Sequence, residues 1–223
     1  MDIQWLGHAG VRISSGGTTL YIDPSAMDYL GSAGKRVIEG LEPGDVILFT
    51  HGHDDHCDMQ TAHKLTGKPT ALFGPEGCAG KAGDGFKSVA SEDMLELGPF
   101  KVRVVPAYNI KRERAPGTPF HPKGTGVGYV VSAEGKSVYH AGDTEPIPEM
   151  RDFGPVDVAL VPVDGHFTMS ADEAAQVAIV VRARTLVPIH FFTETEEMVR
   201  AAAARHEVVR IRFLHVGEAM EVD

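Results

Sequence analysis

The sequence predicts an α+β fold built in layers, and three features of its 223 residues support this prediction. Short runs of alternating or apolar residues recur along most of the chain, as is typical of strands. Gly, Pro and Asp punctuate most of these runs, which indicates turns between them. Strand meanders come first, and helices are interposed in both halves of the chain. This order favours a layered sandwich over a purely parallel α/β fold.

The individual elements follow from these patterns. We predict strands at Ile3–Leu6, Val11–Ser14, Thr19–Ile22, Val46–Thr50, Thr70–Phe73, Val102–Pro106, Val127–Ser132, Ser137–His140, Val156–Val161, Leu186–Ile189 and Val209–Phe213. We predict helices over Met59–Thr66, Ala171–Arg182 and Glu194–Arg205. Ser170 and Glu173 are spaced as in a capping box at the start of the second helix. At this length, one domain spanning residues 1–223 is expected.

The composition argues against several classes of function. The formal net charge is −10, whereas binding to a nucleic-acid backbone needs clustered Lys and Arg. No apolar stretch approaches the roughly 18 residues that cross a membrane, and the N-terminus lacks the pattern of a secretory signal. The two cysteines, Cys57 and Cys78, are too few for a disulfide framework and favour a reducing, cytoplasmic location. The eleven histidines are unusual and direct attention to metal sites with nitrogen ligands.

A polar run, His51-Gly52-His53-Asp54-Asp55-His56, directly follows the apolar strand Val46–Thr50. Loops at the ends of rigid strands commonly carry catalytic groups. In an extended segment two histidines and Asp55 would share a face, and a tight turn at Gly52 would bring His56 towards a second metal. Imidazole suits zinc, and carboxylates add the charge that a second divalent ion needs. The alternative is a solvated polar loop without a metal.

The spacing His51-x-His53-x-Asp55-His56 resembles the signature of the metallo-β-lactamase superfamily. Further segments agree with this family in their order along the chain: Trp5–Ala9, Tyr21–Pro24, Tyr139–Thr144 and Pro188–His190. They resemble the branch that contains L-ascorbate-6-phosphate lactonase and small metal-dependent hydrolases near it. The resemblance implies a four-layer αββα sandwich, with the metals in a cleft at one edge between the two sheets.

The resemblance also assigns metal ligands to positions of this chain. It implies His51 and His53 at the first metal, Asp55, His56 and His190 at the second, and Asp143 as a bridge between them. Both Asp143 and His190 follow apolar strands, where the family needs its ligands. The alternative for Asp143 is a turn-forming aspartate, and for His190 it is a histidine of the core.

One position departs from the family pattern. Relatives usually have the remaining histidine of the first metal just after the strand that ends in Val-Pro-Ala, but Asn109 stands there in this chain. We predict that His121, twelve residues later at the end of the long segment from Tyr108 to Gly126, replaces that ligand. The alternatives are a weak first site, in which Asn109 holds only a water, and a histidine exposed in a surface loop.

Four more residues are expected near the site. His8 lies in a turn that would face the cleft, where it contacts either substrate or a carboxylate beside the metals. His140 is expected to orient Asp143 or to pack beneath the metals, and Asp23 to accept hydrogen bonds from ligand histidines. His166 either lines the pocket or packs in its loop.

These residues predict a metal-dependent hydrolase. Two divalent ions about 3.5–4 Å apart lower the pKa of a shared water, so that a metal-bound hydroxide attacks a small ester, lactone or phosphodiester. Asp55 would hold the remaining proton of that hydroxide, and His8 or His166 would act as a general acid. Two Zn²⁺ ions are favoured by the histidines, although Mn²⁺ and Fe are compatible with the carboxylates.

Two other functions are weighed against hydrolysis. A non-catalytic metal-binding protein would explain Asn109 as a degraded first site. A binuclear-iron oxidoreductase is disfavoured, since those branches of the family generally carry a carboxylate where His53 stands.

The expected partner is a small-molecule substrate, with no nucleic acid and no membrane, and a homo-oligomer is compatible with the sequence. An anionic substrate is slightly favoured by four cations of the long segment: Lys111, Arg112, Arg114 and Lys123.

Overall fold

A computed structural model describes residues 1–26, 37–208 and 210–223. Its strands are β1 (Asp2–Gly7), β2 (Gly10–Ser15), β3 (Thr18–Ile22), β4 (Gly44–Leu48), β5 (Thr66–Gly74), β6 (Phe86–Ser88), β7 (Met94–Leu97), β8 (Phe100–Ala107), β9 (Glu113–Ala115), β10 (Thr118–Pro119), β11 (Gly126–Ala133), β12 (Lys136–His140), β13 (Val156–Pro162), β14 (Ala183–Ile189) and β15 (Ala219–Glu221). Its α-helices are α1 (Met59–Lys64), α2 (Glu76–Ala82), α3 (Ala171–Val180) and α4 (Glu196–Arg205), and a 3₁₀ helix covers Pro148–Asp152.

The strands form two large sheets and a small hairpin. The first sheet has the order β15-β1-β2-β3-β4-β5-β6, and the second has the order β14-β13-β12-β11-β8-β7. Each sheet combines an antiparallel meander with parallel strands, because β3, β4, β5 and β6 run parallel in one sheet and β12, β13 and β14 in the other. Strands β9 and β10 form the hairpin.

The alternation of side chains along the strands divides the core into layers. In β4, Val46 and Leu48 lie between the two sheets, whereas Ile47 faces the helices α1 and α2. In β13, Leu160 lies between the sheets and Ala159 faces the helices α3 and α4. Both strands are therefore buried on both faces, as the apolar run before His51 predicts.

Helices cover the outer face of each sheet, so that the predicted four-layer αββα sandwich is confirmed. Ala62 of α1 and Cys78 of α2 pack on the first sheet, and Val177 of α3 and Val199 of α4 pack on the second. The capping box before α3 is present, since the Ser170 hydroxyl accepts from the backbone N–H of Glu173 and the Glu173 carboxylate accepts from that of Ser170.

The strand predicted at Val209–Phe213 is wrong. Ile211 forms only an isolated bridge to Leu186 at the edge of the second sheet, and Val209 lies outside the described residues. Leu186 makes both of its backbone hydrogen bonds to Arg210 and Arg212, which ends the pairing there. Several elements were not predicted, namely α2, β6, β7, the hairpin of β9 and β10, the 3₁₀ helix and β15.

None of the helices in the described part of the chain has the length and apolar character needed to cross a membrane.

Candidate metal centre

The predicted ligands come together at one edge of the sandwich, where several strands end. His8 follows β1, the run His51–His56 follows β4, Asp143 follows β12 and His190 follows β14. A cavity of about 540 Å³ is lined by His8, His53, Asp55, Asp143 and His190, together with His121 from the segment between β10 and β11.

The histidine run forms a turn and is not extended. The backbone N–H groups of His56 and Cys57 both donate to the carbonyl of His53, at 3.2 and 2.8 Å. The Lys81 ammonium holds the outside of this turn, because it donates to the Gly52 carbonyl at 2.6 Å. The chain reversal separates the first two histidines of the run from Asp55 and His56.

Three groups of potential metal ligands lie around this turn, and the third, which is His51, His56 and Asp143, shares a member with each of the other two. The first group contains His51, His53 and His121, and the second contains His8, Asp55, His56 and His190. Within each group the ligand atoms lie within 4.8 Å of one another. The division agrees with the two sites that the family resemblance implies.

Asp143 lies between the two groups. Its Oδ2 atom is 3.2 Å from His121 Nε2 and 3.9 Å from His51 Nε2 in the first group. It is 3.5 Å from both His56 Nε2 and His190 Nε2 in the second group. One carboxylate oxygen thus faces four imidazole rings.

Gly142 makes this position of Asp143 attainable. Its φ angle is +63°, in the left-handed region that favours glycine. A Cβ atom at residue 142 would lie 2.6 Å from the carbonyl oxygen of Val127. A larger residue would therefore displace the strand end that carries Asp143.

Asp23 and Thr50 orient the rings of His56 and His51. Asp23 is fully buried, and its Oδ2 atom accepts a hydrogen bond from His56 Nδ1 at 2.7 Å. The same carboxylate accepts from the backbone N–H and the hydroxyl of Thr50, at 2.8 and 2.5 Å. The Thr50 hydroxyl also lies 3.0 Å from His51 Nδ1. Asp23 was expected in this role, whereas Thr50 was not.

Asn109 contacts His121 directly. The Asn109 Oδ1 atom accepts from the backbone N–H of His121 at 2.8 Å and lies 2.7 Å from His121 Nδ1. The Asn109 amide nitrogen donates to the carbonyl of Phe167 at 2.9 Å. With Nδ1 held in this way, His121 Nε2 points towards Asp143. Both residues are buried, so His121 is not a histidine of an exposed surface loop.

Two carboxylates hold the remaining rings of the second group. Asp55 Oδ2 accepts from His8 Nε2 at 3.2 Å, and Asp164 Oδ2 lies 3.5 Å from His190 Nδ1. Asp164 was not predicted from the sequence, although Asp164 follows the buried strand β13 as Asp143 follows β12. Asp164 also accepts hydrogen bonds from three consecutive backbone N–H groups, those of residues 166–168.

For His140 and His166 the sequence left two roles open, and the structure shows the contacts of each. His140 Nε2 donates to the carbonyl of Ala9 at 2.9 Å, and its Nδ1 atom accepts from the backbone N–H of Gly142 at 3.2 Å. It thereby ties the turn after His8 to the turn before Asp143. The exposed His166 packs against Phe167, with ring centroids 4.5 Å apart, and is not among the residues that line the cavity.

The backbone of the site adopts a conformation that L residues rarely have. His8, Asp23 and His190 have φ angles of +50°, +45° and +55°, in the left-handed region. Such conformations persist only where surrounding contacts impose them, and they cluster at functional sites. Here the backbone N–H of His190 donates to the carbonyl of His8 at 3.0 Å, which links two of the three.

The charges of the site are strongly coupled. Burial alone would raise the pKa of Asp143, but His190 and His56 outweigh burial and hold the pKa well below its usual value. Burial and the adjacent His56 hold the pKa of His51 well below its usual value. Burial lowers the pKa of His8 to about 4, despite its hydrogen bond to Asp55. Burial also lowers the pKa of His56, but the carboxylates Asp143 and Asp23 outweigh burial and raise the pKa of this ring to about 10.

Buried polar atoms without hydrogen-bond partners test whether metal ions fit this arrangement. Among the described residues, His56 Nε2, His190 Nε2 and Asp143 Oδ1 are buried and make no hydrogen bond. An unsatisfied buried polar atom costs about 1–3 kcal/mol, so that such a cluster needs an explanation. Nitrogen and carboxylate oxygen are ligands that divalent ions such as Zn²⁺ accept. The donor set thus fits metal ions between the two groups.

The four cations of the long segment have different surroundings. Arg112 pairs with Glu145 at 2.5 Å and with Glu173 at 2.6 Å, and Lys123 pairs with Glu149 at 2.8 Å. Arg114 is exposed and lines a second cavity, of about 240 Å³, next to the first.

Glu145 anchors this segment, a role that was not predicted from the sequence. Its buried carboxylate accepts from the backbone N–H groups of Ile110, Lys111 and Arg112, at 2.5, 2.6 and 3.2 Å. Glu145 lies two residues after Asp143. It therefore connects the end of β12, which Asp143 follows, to the segment that carries His121.

Comparisons with known proteins agree with this fold. A family model described as the beta-lactamase superfamily domain matches residues 2–190. A UPF0173 metal-dependent hydrolase of Pyrococcus furiosus is 32% identical over an alignment that covers 100% of both chains. The crystal structure of a protein described as a metal-dependent hydrolase, from Parabacteroides distasonis, has a TM-score of 0.83 at 27% identity and covers 95% of this chain and 91% of the other.

The chain belongs to the metallo-β-lactamase superfamily. Within it, the chain is an enzyme, a metal-dependent hydrolase like the UPF0173 proteins with which it aligns over its whole length. The fold alone does not decide this chemistry, since a diiron β-hydroxylase of Streptomyces venezuelae has the same fold at 16% identity, with a TM-score of 0.72 over 98% of this chain and 53% of the other. The resemblance to the branch of L-ascorbate-6-phosphate lactonase stays a prediction.

Proposed function

We propose that this enzyme hydrolyses a small ester, lactone or phosphodiester at a centre that holds two divalent ions. The observation that carries the proposal is the position of Asp143 between two groups of potential ligands, with buried atoms of His56, His190 and Asp143 that have no hydrogen-bond partner among the described residues. Asp23 and Asn109 contact the Nδ1 atoms of His56 and His121, so that the Nε2 atoms of these two rings face Asp143.

The ligand assignment follows the two groups. His51, His53 and His121 would hold the first ion, Asp55, His56 and His190 the second, and Asp143 both. When bound, two such ions acidify a water molecule and polarise the bond that is cleaved. Zinc is favoured for both, because five of the seven proposed ligands are imidazoles and the other two are carboxylates, which zinc also accepts.

The catalytic residues that we propose are Asp55 and His8. Asp55 lies on the cavity wall, where its carboxylate can accept a proton from the attacking water. His8 donates to Asp55 at 3.2 Å and thereby sets the orientation of that carboxylate. His8 also lines the cavity, so that its ring contacts a bound substrate.

The non-catalytic alternative depends on a degraded first site. Asn109 does stand at the expected ligand position, but the first group retains three imidazoles because His121 joins it. The oxidoreductase alternative is disfavoured by the imidazole of His53. Hydrolysis is therefore the function that this donor set supports best.

The charges of the long segment bear on the substrate. Arg114 is exposed and lines the smaller cavity, where it could contact an anionic group, whereas Arg112 and Lys123 are paired. A cytoplasmic location is proposed from the two cysteines, both of which are free thiols and buried.

Metal-dependent turnover tests the proposal. Protein purified without chelator or His tag should contain about two divalent ions per chain by elemental analysis, and it should hydrolyse at least one of p-nitrophenyl acetate, a simple lactone and bis(p-nitrophenyl) phosphate. Removing the metal should abolish this turnover, and adding Zn²⁺, Mn²⁺ or Fe²⁺ back should restore it. Fully loaded protein that cleaves none of the three would favour the non-catalytic alternative.

Asn109 should control the affinity of the first site although it is not a ligand. We expect Asn109→Ala to weaken binding of one ion by about 10–100-fold, because residues that orient metal-bound histidines have effects of this size. Asn109→Asp keeps the oxygen that faces His121 and should retain more of the affinity. Titration of both metal-free variants with Zn²⁺ measures the difference, and equal affinity of Asn109→Ala and the unaltered protein would contradict the role.

A further inference from the structure

Part of the lining of the main cavity is built from phenylalanine rings. Phe120, Phe167, Phe191 and Phe192 line it, together with the imidazoles and carboxylates. The Phe120 and Phe167 rings meet edge to face with centroids 5.0 Å apart, and Phe167 and Phe192 are 5.7 Å apart. These separations lie in the range at which aromatic rings attract each other. Phe120, Phe167 and Phe192 therefore form one continuous aromatic surface in the lining of this cavity.

This aromatic wall is held in place by the same contacts that hold the ligands. The Phe167 carbonyl accepts from Asn109, and its backbone N–H donates to Asp164, which also faces His190. Phe191 directly follows His190 and packs on the core beneath α3 and α4. The rings thus have a defined position relative to the proposed ions.

The wall is accessible and has no cation beside it. Phe192 is 67% exposed, more than any other large hydrophobic side chain of the described residues. Exposed apolar surface of this kind commonly marks a binding site. Among the described residues that line the cavity, none is Lys or Arg. A small molecule bound in this cavity would therefore contact both the potential metal-binding atoms and the apolar rings.

We propose that the aromatic wall is a substrate subsite that takes an apolar, preferentially aromatic, group attached next to the bond that is cleaved. A cavity of about 540 Å³ has the size of small-molecule sites, which are mostly apolar with a few polar groups that fix orientation. The assignment of a substituent next to the scissile bond rests on the proposed hydrolysis. The preference for an aryl group rests on the rings alone.

Equilibrium binding tests the subsite independently of turnover. Phenylphosphonate and methylphosphonate carry the same anionic group and differ in the apolar substituent. Calorimetry on metal-loaded protein should give about tenfold tighter binding of the phenyl compound. Phe167→Ala and Phe192→Ala should each reduce this ratio about threefold or more, since each removes one ring contact. Phe167→Leu, which keeps an apolar side chain, should retain part of the preference.

Met94→Ala is the matched control, because Met94 is 64% exposed on the edge strand β7 and does not line the cavity. It should leave the ratio unchanged, and all variants should contain as much metal as the unaltered protein. Equal affinity for the two phosphonates, or a ratio that survives both alanine substitutions, would overturn the subsite. A preserved phenyl preference without turnover of any ester, lactone or phosphodiester would support the subsite while contradicting the proposed hydrolysis.

Discussion

Asp143→Ala is expected to abolish hydrolysis and to remove at least one metal ion from the protein. One oxygen of Asp143 lies 3.2–3.9 Å from four histidines that belong to two ligand groups. As a bridge, this carboxylate would set the spacing of two cations and neutralise part of their charge. Loss of an outer contact alone costs about 10–100-fold in affinity or activity, and a shared ligand should cost more.

Metal content and initial rates of the purified variant measure this effect. Asp143→Asn, which keeps the shape and removes the charge, should also be strongly impaired. Asp157→Ala is the control, because Asp157 pairs with Ser137 and Arg184 and does not line the cavity. It should keep its metal and its turnover. Near-normal turnover of Asp143→Ala on any accepted substrate would show that the bridging role is wrong.

His121→Ala is expected to lower the metal content from about two ions per chain to about one. The His121 ring lies with His51 and His53 in the first ligand group. Structural zinc sites are almost always four-coordinate, and removal of His121 leaves this ion two imidazoles and a carboxylate that the second ion also uses, so that its affinity should fall strongly. Elemental analysis after equilibration with excess Zn²⁺ and desalting measures the loss.

A second substitution makes this test sharper. If position 109 is the family's ligand position, Asn109→His in the His121→Ala background should recover the lost ion. His63→Ala, which removes an exposed histidine from α1, controls for the loss of any imidazole and should leave the metal content unchanged. Two ions per chain in His121→Ala would mean that His121 is not a ligand.

Much of the fold was predictable because its signals are local. Apolar runs with Gly, Pro and Asp between them predicted ten strands that the structure contains, and the four-layer arrangement followed from the family resemblance. The strand Val209–Phe213 was mispredicted because a β-branched run does not reveal how many partners the sheet edge offers it. The hairpin of β9 and β10 was missed, since strands of two or three residues have no detectable alternation.

The candidate site divides in the same way. The run from His51 to His56 is recognisable as a motif within six residues. The pattern of an apolar strand followed by a potential ligand indicates Asp143 and His190. The outer residues carry weaker signals. Asp164 and Glu145 are single carboxylates in loops, and nothing in their neighbours indicates that one faces His190 or that the other binds three backbone N–H groups.

The sequence alone was sufficient to predict the buried strand β4, the motif that follows it and, through the family resemblance, the class of chemistry. The packing of the two sheets brings the remaining side chains of the candidate site to that motif. Asn109 meets His121 across twelve residues, and Phe167 meets Phe192 across twenty-five, only because the ends of β8, β13 and β14 converge at one edge of the sandwich. Local patterns record burial and turns, whereas contacts between distant loops depend on how the sheets pack, which no single segment encodes.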